Sequence, residues 1–256
     1  MPAPTPTPDT VLAFDTSTER MAVAVQAGDQ VLLDNRLGGA AASASLLPTI
    51  EALLQLAGQP LSSVAVIGFG HGPGAFTGLR TSCAVAQGLA FGLGCPVLPI
   101  DSLLIVAEQA RRQQAPGADD LDVGVVMDAR MGETYAARYR WCGGAWQTLQ
   151  APALWSPLAL AEAWAGQPPA LSAGSGLEPF DTVLREACPP AQRVTCDDDR
   201  AAALLALTLA ASRLGVGLDA AQALPLYLRD KVAQTIDERA ALRAATDAGT
   251  RPAATA

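Results

Sequence analysis

Asp15-Thr16-Ser17, just after the apolar run Val11–Phe14, has the residue types for anion or metal chemistry. The two hydroxyls can donate hydrogen bonds to an anion, and the carboxylate can hold a metal-bound water. The same groups can instead satisfy the backbone of a turn. A second candidate is the glycine-rich stretch Gly68–Arg80. Gly72 and Gly74 let the chain turn sharply, because glycine reaches positive φ without steric cost. Backbone N–H groups at the start of the helix that follows can bind an anion, and Arg80 can meet a phosphate, a carboxylate or a structural acid. The stretch is not a G-x-x-x-x-G-K-[ST] phosphate loop, since no lysine followed by a hydroxyl stands in register. Gly174-Ser175-Gly176 is a further glycine turn of lower specificity.

Other chemistries lack their residues. His71 is the one histidine, and Cys83, Cys95, Cys142, Cys188 and Cys196 form no C-x-x-C pair. Zinc and iron sites thereby lose most of their usual ligands, and the odd set of thiols suits a reducing, cytoplasmic setting. No serine sits in G-x-S-x-G, so Ser–His catalysis has no constellation. The expectation is no catalytic residue and no metal site in this chain.

A different feature concerns contact. Ala84, Gly88 and Gly92 recur every fourth residue, a ridge of small side chains along one helix that lets another helix approach closely. Each helical glycine costs about 1 kcal/mol relative to Ala, which close packing should offset, either inside the chain or against a partner. Leu46, Ile50 and Leu53 form an apolar face on the preceding helix. Pro225-Leu226-Tyr227-Leu228-Arg229 offers a large aromatic body with a polar tip at Tyr227 and a guanidinium at Arg229.

These residues need elements to position them. Short strands over Val11–Asp15, Met21–Gln26 and Val31–Leu37 predict an antiparallel meander. Helix 46–57 ends at Gly58 and Pro60; strand Val64–Phe69 leads through the glycine stretch to a helix capped by Thr77 and running to Leu93. Strand Cys95–Ile100 and helix Ser102–Gln113 complete a first lobe, 11–113. Residues 114–120, polar with Pro-Gly, make a linker. Paired strands Asp122–Asp128 and Thr134–Tyr139, helix Ser156–Ala165, strand Ala170–Ala173 and, after Asp197-Asp-Asp199, an Ala/Leu helix to Leu214 make a second lobe, 121–232. The final helix and Pro225–Arg229 are expected to return toward the first lobe. A Pro-rich disordered tail (1–10) and a frayed tail (233–256) flank the lobes.

Charge then limits the partners. The chain of 256 residues carries 17 Lys+Arg against 25 Asp+Glu, a net −8, and its one lysine is Lys231. Phosphate backbones are gripped by Lys and Arg, so a stand-alone nucleic-acid binder is not expected. No run of 18 apolar residues occurs, which leaves no membrane span in the sequence.

Leu12-Ala-Phe-Asp-Thr-Ser-Thr18, Gly70-His-Gly-Pro-Gly-Ala-Phe-Thr-Gly-Leu-Arg80 and Pro225-Leu-Tyr-Leu-Arg229 together resemble the TsaB (YeaZ) family, bacterial tRNA threonylcarbamoyladenosine biosynthesis proteins. The similarity runs from about residue 11 to residue 232. It implies the two-lobed α/β fold of actin, Hsp70 and sugar kinases, each lobe a mixed sheet with helices. It further implies a non-catalytic role beside the paralogue TsaD, which places a threonylcarbamoyl group on adenosine 37 of certain tRNAs, with the ATPase TsaE. ATP and a metal would belong to those partners, and tRNA would be held mainly through the complex. Asp15, Thr16 and Ser17 fall where kinase-like relatives approach nucleotide phosphate. His71 stands where many family members carry Arg. The catalytic paralogue bears an H-x-x-x-H metal motif after the strand matching Cys95–Ile100, whereas Asp101-Ser-Leu-Leu-Ile-Val-Ala107 has no histidine. The resemblance also tilts Ala84, Gly88, Gly92 and the face of Leu46, Ile50 and Leu53 toward a TsaD interface, with a homodimer possible when TsaD is absent. The alternative of another class is an ATP-binding phosphotransferase of the sugar-kinase type; a peptidase is remote, lacking a nucleophile–base pair.

Overall fold

The computed structural model of the chain describes residues 10–196 and 199–229. Residues up to Leu226 form one compact unit and Tyr227–Ala256 a second, whose described residues, 227–229, have no regular structure. Lys231, Asp197, Asp198, residues 1–9 of the predicted N-terminal tail and the predicted C-terminal tail lie outside the described residues; Thr10, expected in the disordered tail, instead opens the first strand and is buried.

The first unit holds two sheets built to one plan. β1 (Thr10–Asp15), β2 (Arg20–Ala27) and β3 (Gln30–Leu37) form the predicted antiparallel meander. After α1 (Ala42–Leu56) comes β4 (Val66–Gly72), then α2 (Phe76–Leu93), β5 (Val97–Asp101) and α3 (Ser102–Gln114). β4 and β5 join in parallel, giving the order β3-β2-β1-β4-β5. β6 (Asp120–Arg130), β7 (Glu133–Cys142) and β8 (Ala145–Trp155) repeat the meander. α4 (Pro157–Ala165), β9 (Leu171–Ala173), α5 (Asp181–Leu184), β10 (Arg193–Val194) and α6 (Arg200–Arg213) complete the set. The second order, β10-β9-β6-β7-β8, again has its first strand in the middle with antiparallel strands on one side and parallel strands on the other. This is the expected two-lobed α/β fold, with the same strand order in both sheets.

β1 explains the burial pattern. Every residue of Thr10–Asp15 is buried, as expected of a central strand covered on both faces. Leu12 and Phe14 pack with Leu46, Ile50 and Ala86 from α1 and α2. Val11 and Ala13 pack with Ala201, Leu204 and Leu205 of α6. The helices are exchanged between the sheets. α3 follows the first sheet but buries Leu103, Val106 and Ala110 against Val125 and Tyr139 of the second, while α6 follows the second and covers the first.

Helix ends differ in one place from the sequence pattern. α3 is capped by Asp101, which accepts from Leu103 N and Leu104 N, and α4 by Ser156. α2 starts at Phe76, its cap is Ala75 with no side-chain bond, and Thr77 lies inside the first turn. Ala75 N donates instead to Ser17 O at 2.7 Å, so contact with the β1–β2 turn replaces the hydroxyl cap. α2 ends on Gly94 at φ +67°, the left-handed stop that glycine supplies.

Candidate functional site

Asp15 ends β1 and is fully buried in a polar knot. One carboxylate oxygen accepts from Ser17 N at 2.9 Å, the other from Ser17 Oγ at 2.9 Å. Arg200, at the start of α6, donates to that second oxygen from Nε at 2.6 Å and from Nη2 at 2.5 Å. Arg200 Nη2 also reaches Ser17 Oγ (3.2 Å) and Ser102 O (3.4 Å). A buried charge is tolerated only when paired and hydrogen-bonded, and here both partners are almost wholly enclosed. Thr16 is similarly committed: its N–H donates to Ser82 Oγ at 3.0 Å, and its hydroxyl donates to Gly78 O at 2.7 Å.

The glycines around this knot have a steric reason. A Cβ at Gly70 would stand 2.1 Å from Asp15 Oδ1, at Gly74 2.5 Å from Ser17 O, and at Gly78 1.8 Å from Thr16 O. The glycine-rich segment is thus the surface against which the Asp15–Ser17 turn is pressed. Gly72, at φ +120°, donates its N–H to Ser102 Oγ at 3.1 Å, and His71 O accepts from Leu226 N at 2.7 Å. Asp15, Thr16, Ser17, Gly72 and Gly74 are therefore brought together, with their hydrogen-bonding capacity largely spent inside the chain. Arg80 is not among them. It lies on the exposed side of α2, its guanidinium 3.8 Å from the centre of the Phe76 ring, a cation–π contact.

The charge of Asp15 reaches its neighbours. Burial, with Asp15 adding to it, pushes the Cys83 thiol up to about 12. Burial lowers His71 below its ordinary value, partly offset by its hydrogen bond to the Leu224 carbonyl and by Asp15. Asp101 is raised by burial, against the hydroxyl of Tyr139 (2.5 Å) and the two backbone N–H groups that favour its ionised form. Among the described residues no group of three or more His, Cys, Asp or Glu side chains is placed to hold a metal ion.

Two features had no local signal in the sequence. Arg200 is 185 positions from Asp15, and its one hint is an arginine opening a helix of Ala and Leu. The β6–β7 turn holds Arg130 and Met131 at φ +65° and +56°; Arg130 pairs with Asp128 and, at 2.9 Å, with Glu19 of the β1–β2 turn. Gly174 is held at φ +121° with its missing Cβ against Val126 O, and Ser175 Oγ accepts from Asp128 N, so this turn packs on β6.

The helical faces separate into two groups. Leu46, Ile50 and Leu53, expected on a partner surface, are buried in the chain's own core with Phe14, Met21 and Val23. This corrects the expectation: a stripe spaced for one helical face was used to cover the first sheet. Ala84, Gly88 and Gly92 are exposed, and a Cβ at either glycine would meet nothing within 4 Å. Phe91 beside them is 86% exposed. Tyr227 and Arg229 fall in the second unit, the tyrosine exposed and the arginine half-buried.

Comparison with known proteins places the chain. A family model described as "TsaD: tRNA N6-adenosine threonylcarbamoyltransferase" matches residues 37–236. The tRNA threonylcarbamoyladenosine biosynthesis protein TsaB of Haemophilus influenzae is 40% identical over 127 residues, 49% of this chain and 52% of that protein. The Escherichia coli protein of the same name is 35% identical over 130 residues, 51% of this chain and 54% of that one. The chain thus spans about half the length of the curated relatives it matches. The solved structure of YeaZ from Pseudomonas aeruginosa superposes with a TM-score of 0.72 at 36% identity, covering 86% of this chain and all of that one. No helix among the described residues is long and apolar enough to cross a membrane. With the two-lobed fold, the three motifs and these relatives agreeing, the chain belongs to the TsaB (YeaZ) family.

Proposed function

We propose that this chain is the non-catalytic partner of the TsaD transferase in forming N6-threonylcarbamoyladenosine at position 37 of tRNAs. The observation that carries the reading is the state of Asp15. The carboxylate at the end of β1, a group that could otherwise hold a metal-bound water, is neutralised by Arg200 and bonded twice by Ser17. Family membership supports the pathway, since the relatives from H. influenzae and E. coli are named for threonylcarbamoyladenosine biosynthesis. In this reading ATP and the metal are used by TsaD and TsaE in the cytoplasm, and this chain holds neither stably. Any anion contact at Gly72, Gly74 or Arg80 is secondary. A chain of net charge −8 leaves the grip on tRNA phosphates chiefly to its partners.

The surface offered to TsaD is the exposed face of α2. Ala84, Gly88 and Gly92 leave room for a helix to approach closely, and Phe91 supplies an aromatic anchor beside them. Removing these groups from water drives association. Gly88→Leu fills the ridge with four side-chain carbons where the chain itself has open space. Titration calorimetry with TsaD should show binding lost or weakened by about a hundredfold, a loss near 3 kcal/mol, with an unchanged far-UV spectrum. A variant that binds TsaD as the parent does would remove α2 from the interface.

A further inference from the structure

The glycine turn between β4 and α2 touches two distant parts of the chain. Ala75 N donates to Ser17 O on one side, and on the other Leu226 N donates to His71 O at 2.7 Å. Leu226 ends a strap, residues 217–226, that returns from α6 to the first sheet. The strap is seated closely at both ends. At its start a Cβ on Gly217 would stand 2.8 Å from Pro96 Cβ, and Leu218 and Val97 exchange backbone hydrogen bonds of 2.8 and 2.9 Å. At its finish a Cβ on Gly72 would stand 2.8 Å from Leu226 O. Between them the turn Ala220–Gln222 is closed by Asp219, whose carboxylate accepts from Ala221 N while Gln222 Oε1 accepts from Asp219 N.

The middle of the strap borders α2. Ala220 and Ala223 are buried in the core with Ala86 and Ala90 of the helix. Gln87 Nε2 donates to Ala223 O at 3.0 Å, and the His71 side chain is hydrogen-bonded to the Leu224 carbonyl. Gln87 lies within about one helical turn of Ala84, Gly88 and Phe91, so the strap runs along the flank of the exposed ridge. Leu224 follows the inward Ala223, turns away from the core and is 63% exposed. A single exposed leucine is ordinary. This one stands on a segment pinned from several sides, beside a ridge where Gly88 has open space above it and Phe91 is bare.

We propose that the strap is the second wall of the partner site: Leu224 touches the helix that lies over Ala84 and Gly88, and His71 and Gln87 are the positioning residues that hold the strap there. The proposal rests on the reading of α2 as the face offered to TsaD. The occupant is an apolar helix. The floor lacks side chains that would hold a helix backbone away, and the flanking Leu224 and Phe91 are uncharged and gain by leaving water. The strap is fixed before the partner arrives, so association spends little on ordering it. The glycine turn thus acts by seating the strap, with no anion required.

Titration calorimetry with TsaD tests this, on full-length variants whose far-UV spectra match the parent. Leu224→Asp, at an exposed position, should weaken binding by about tenfold or more. His71→Ala should weaken it by about threefold or more, whereas His71→Gln keeps an N–H donor and should bind within about twofold of the parent. Amide hydrogen exchange supplies a readout that general destabilisation would not give. In His71→Ala the Leu226 N–H should exchange faster, while the Leu218 N–H, bonded to Val97, should not change. A Leu224→Asp variant that binds as the parent does, or His71→Ala binding as tightly as His71→Gln, would overturn the proposal. Gly88→Leu separates the two claims. If it loses TsaD while Leu224→Asp keeps it, the strap is not a wall and the α2 reading stands; if both bind as the parent does, both fall.

Discussion

Arg200 holds Asp15 by two of its nitrogens, and the pair is closed from water on all sides. Removing one member of a buried ion pair strands the other, at a cost of about 3–5 kcal/mol. Arg200→Ala should therefore lower the unfolding free energy by about that amount in urea titration. Arg200→Lys should restore little of it, since an ammonium cannot reproduce the planar fork; a loss under about 1 kcal/mol for the alanine variant would contradict the role assigned to the pair. His71 gives a pH signature. Its folded-state value is lowered from the ordinary 6.5, so on acidification the unfolded chain takes up the proton first. The stability due to neutral His71 is whole above 6.5, falls as pH drops through that value, and levels off below the folded-state value. His71→Gln should flatten this fall, of slope at most about 1.4 kcal/mol per pH unit, when unfolding is compared between about pH 8 and about pH 5. Equal slopes in parent and variant would refute it. The sequence makes the Asp15-Thr16-Ser17 turn and the glycine turn visible as local chemistry. It does not show that they press on one another, because that contact and the Arg200 clamp join residues far apart in the chain.

At the scale of elements, periodicity carried most of the information. The meander β1–β3, α1, α2, α3 and the β6–β7 pair follow from alternation and helical spacing, with ends displaced by a few residues. β8 does not. It mixes Gln147, Gln150 and Pro152 in a largely exposed outer strand, and its pairing with β7 shifts register near Ala136–Tyr139, so no alternation marks it. The α1 stripe shows the limit of spacing: Leu46, Ile50 and Leu53 define a face, but only packing tells whether sheet or partner covers it. α2 resolves differently. Its inner face, with Leu79, Cys83 and Ala86, is buried, and the ridge of Ala84, Gly88 and Gly92 is left outward. For that reason Gly88→Leu should spare the fold while blocking the proposed TsaD contact.

For the whole molecule, the swap of α3 and α6 between the sheets joins the lobes through apolar contacts rather than through the short connection 115–119. The fold class and duplication could be read from repeated strand–helix order; the swap could not, because each helix follows one sheet in sequence and covers the other in space. Under the proposed function, the net charge of −8 and the occupied Asp15 suit a chain that supports an enzyme. The most direct test is stepwise reconstitution from purified proteins, with threonylcarbamoyladenosine in a tRNA read by mass spectrometry of its nucleosides. The isolated chain, given tRNA, threonylcarbamoyl-adenylate, ATP and divalent metal, should form no product, and adding TsaD and TsaE should produce it. Robust product from this chain without TsaD would contradict the account.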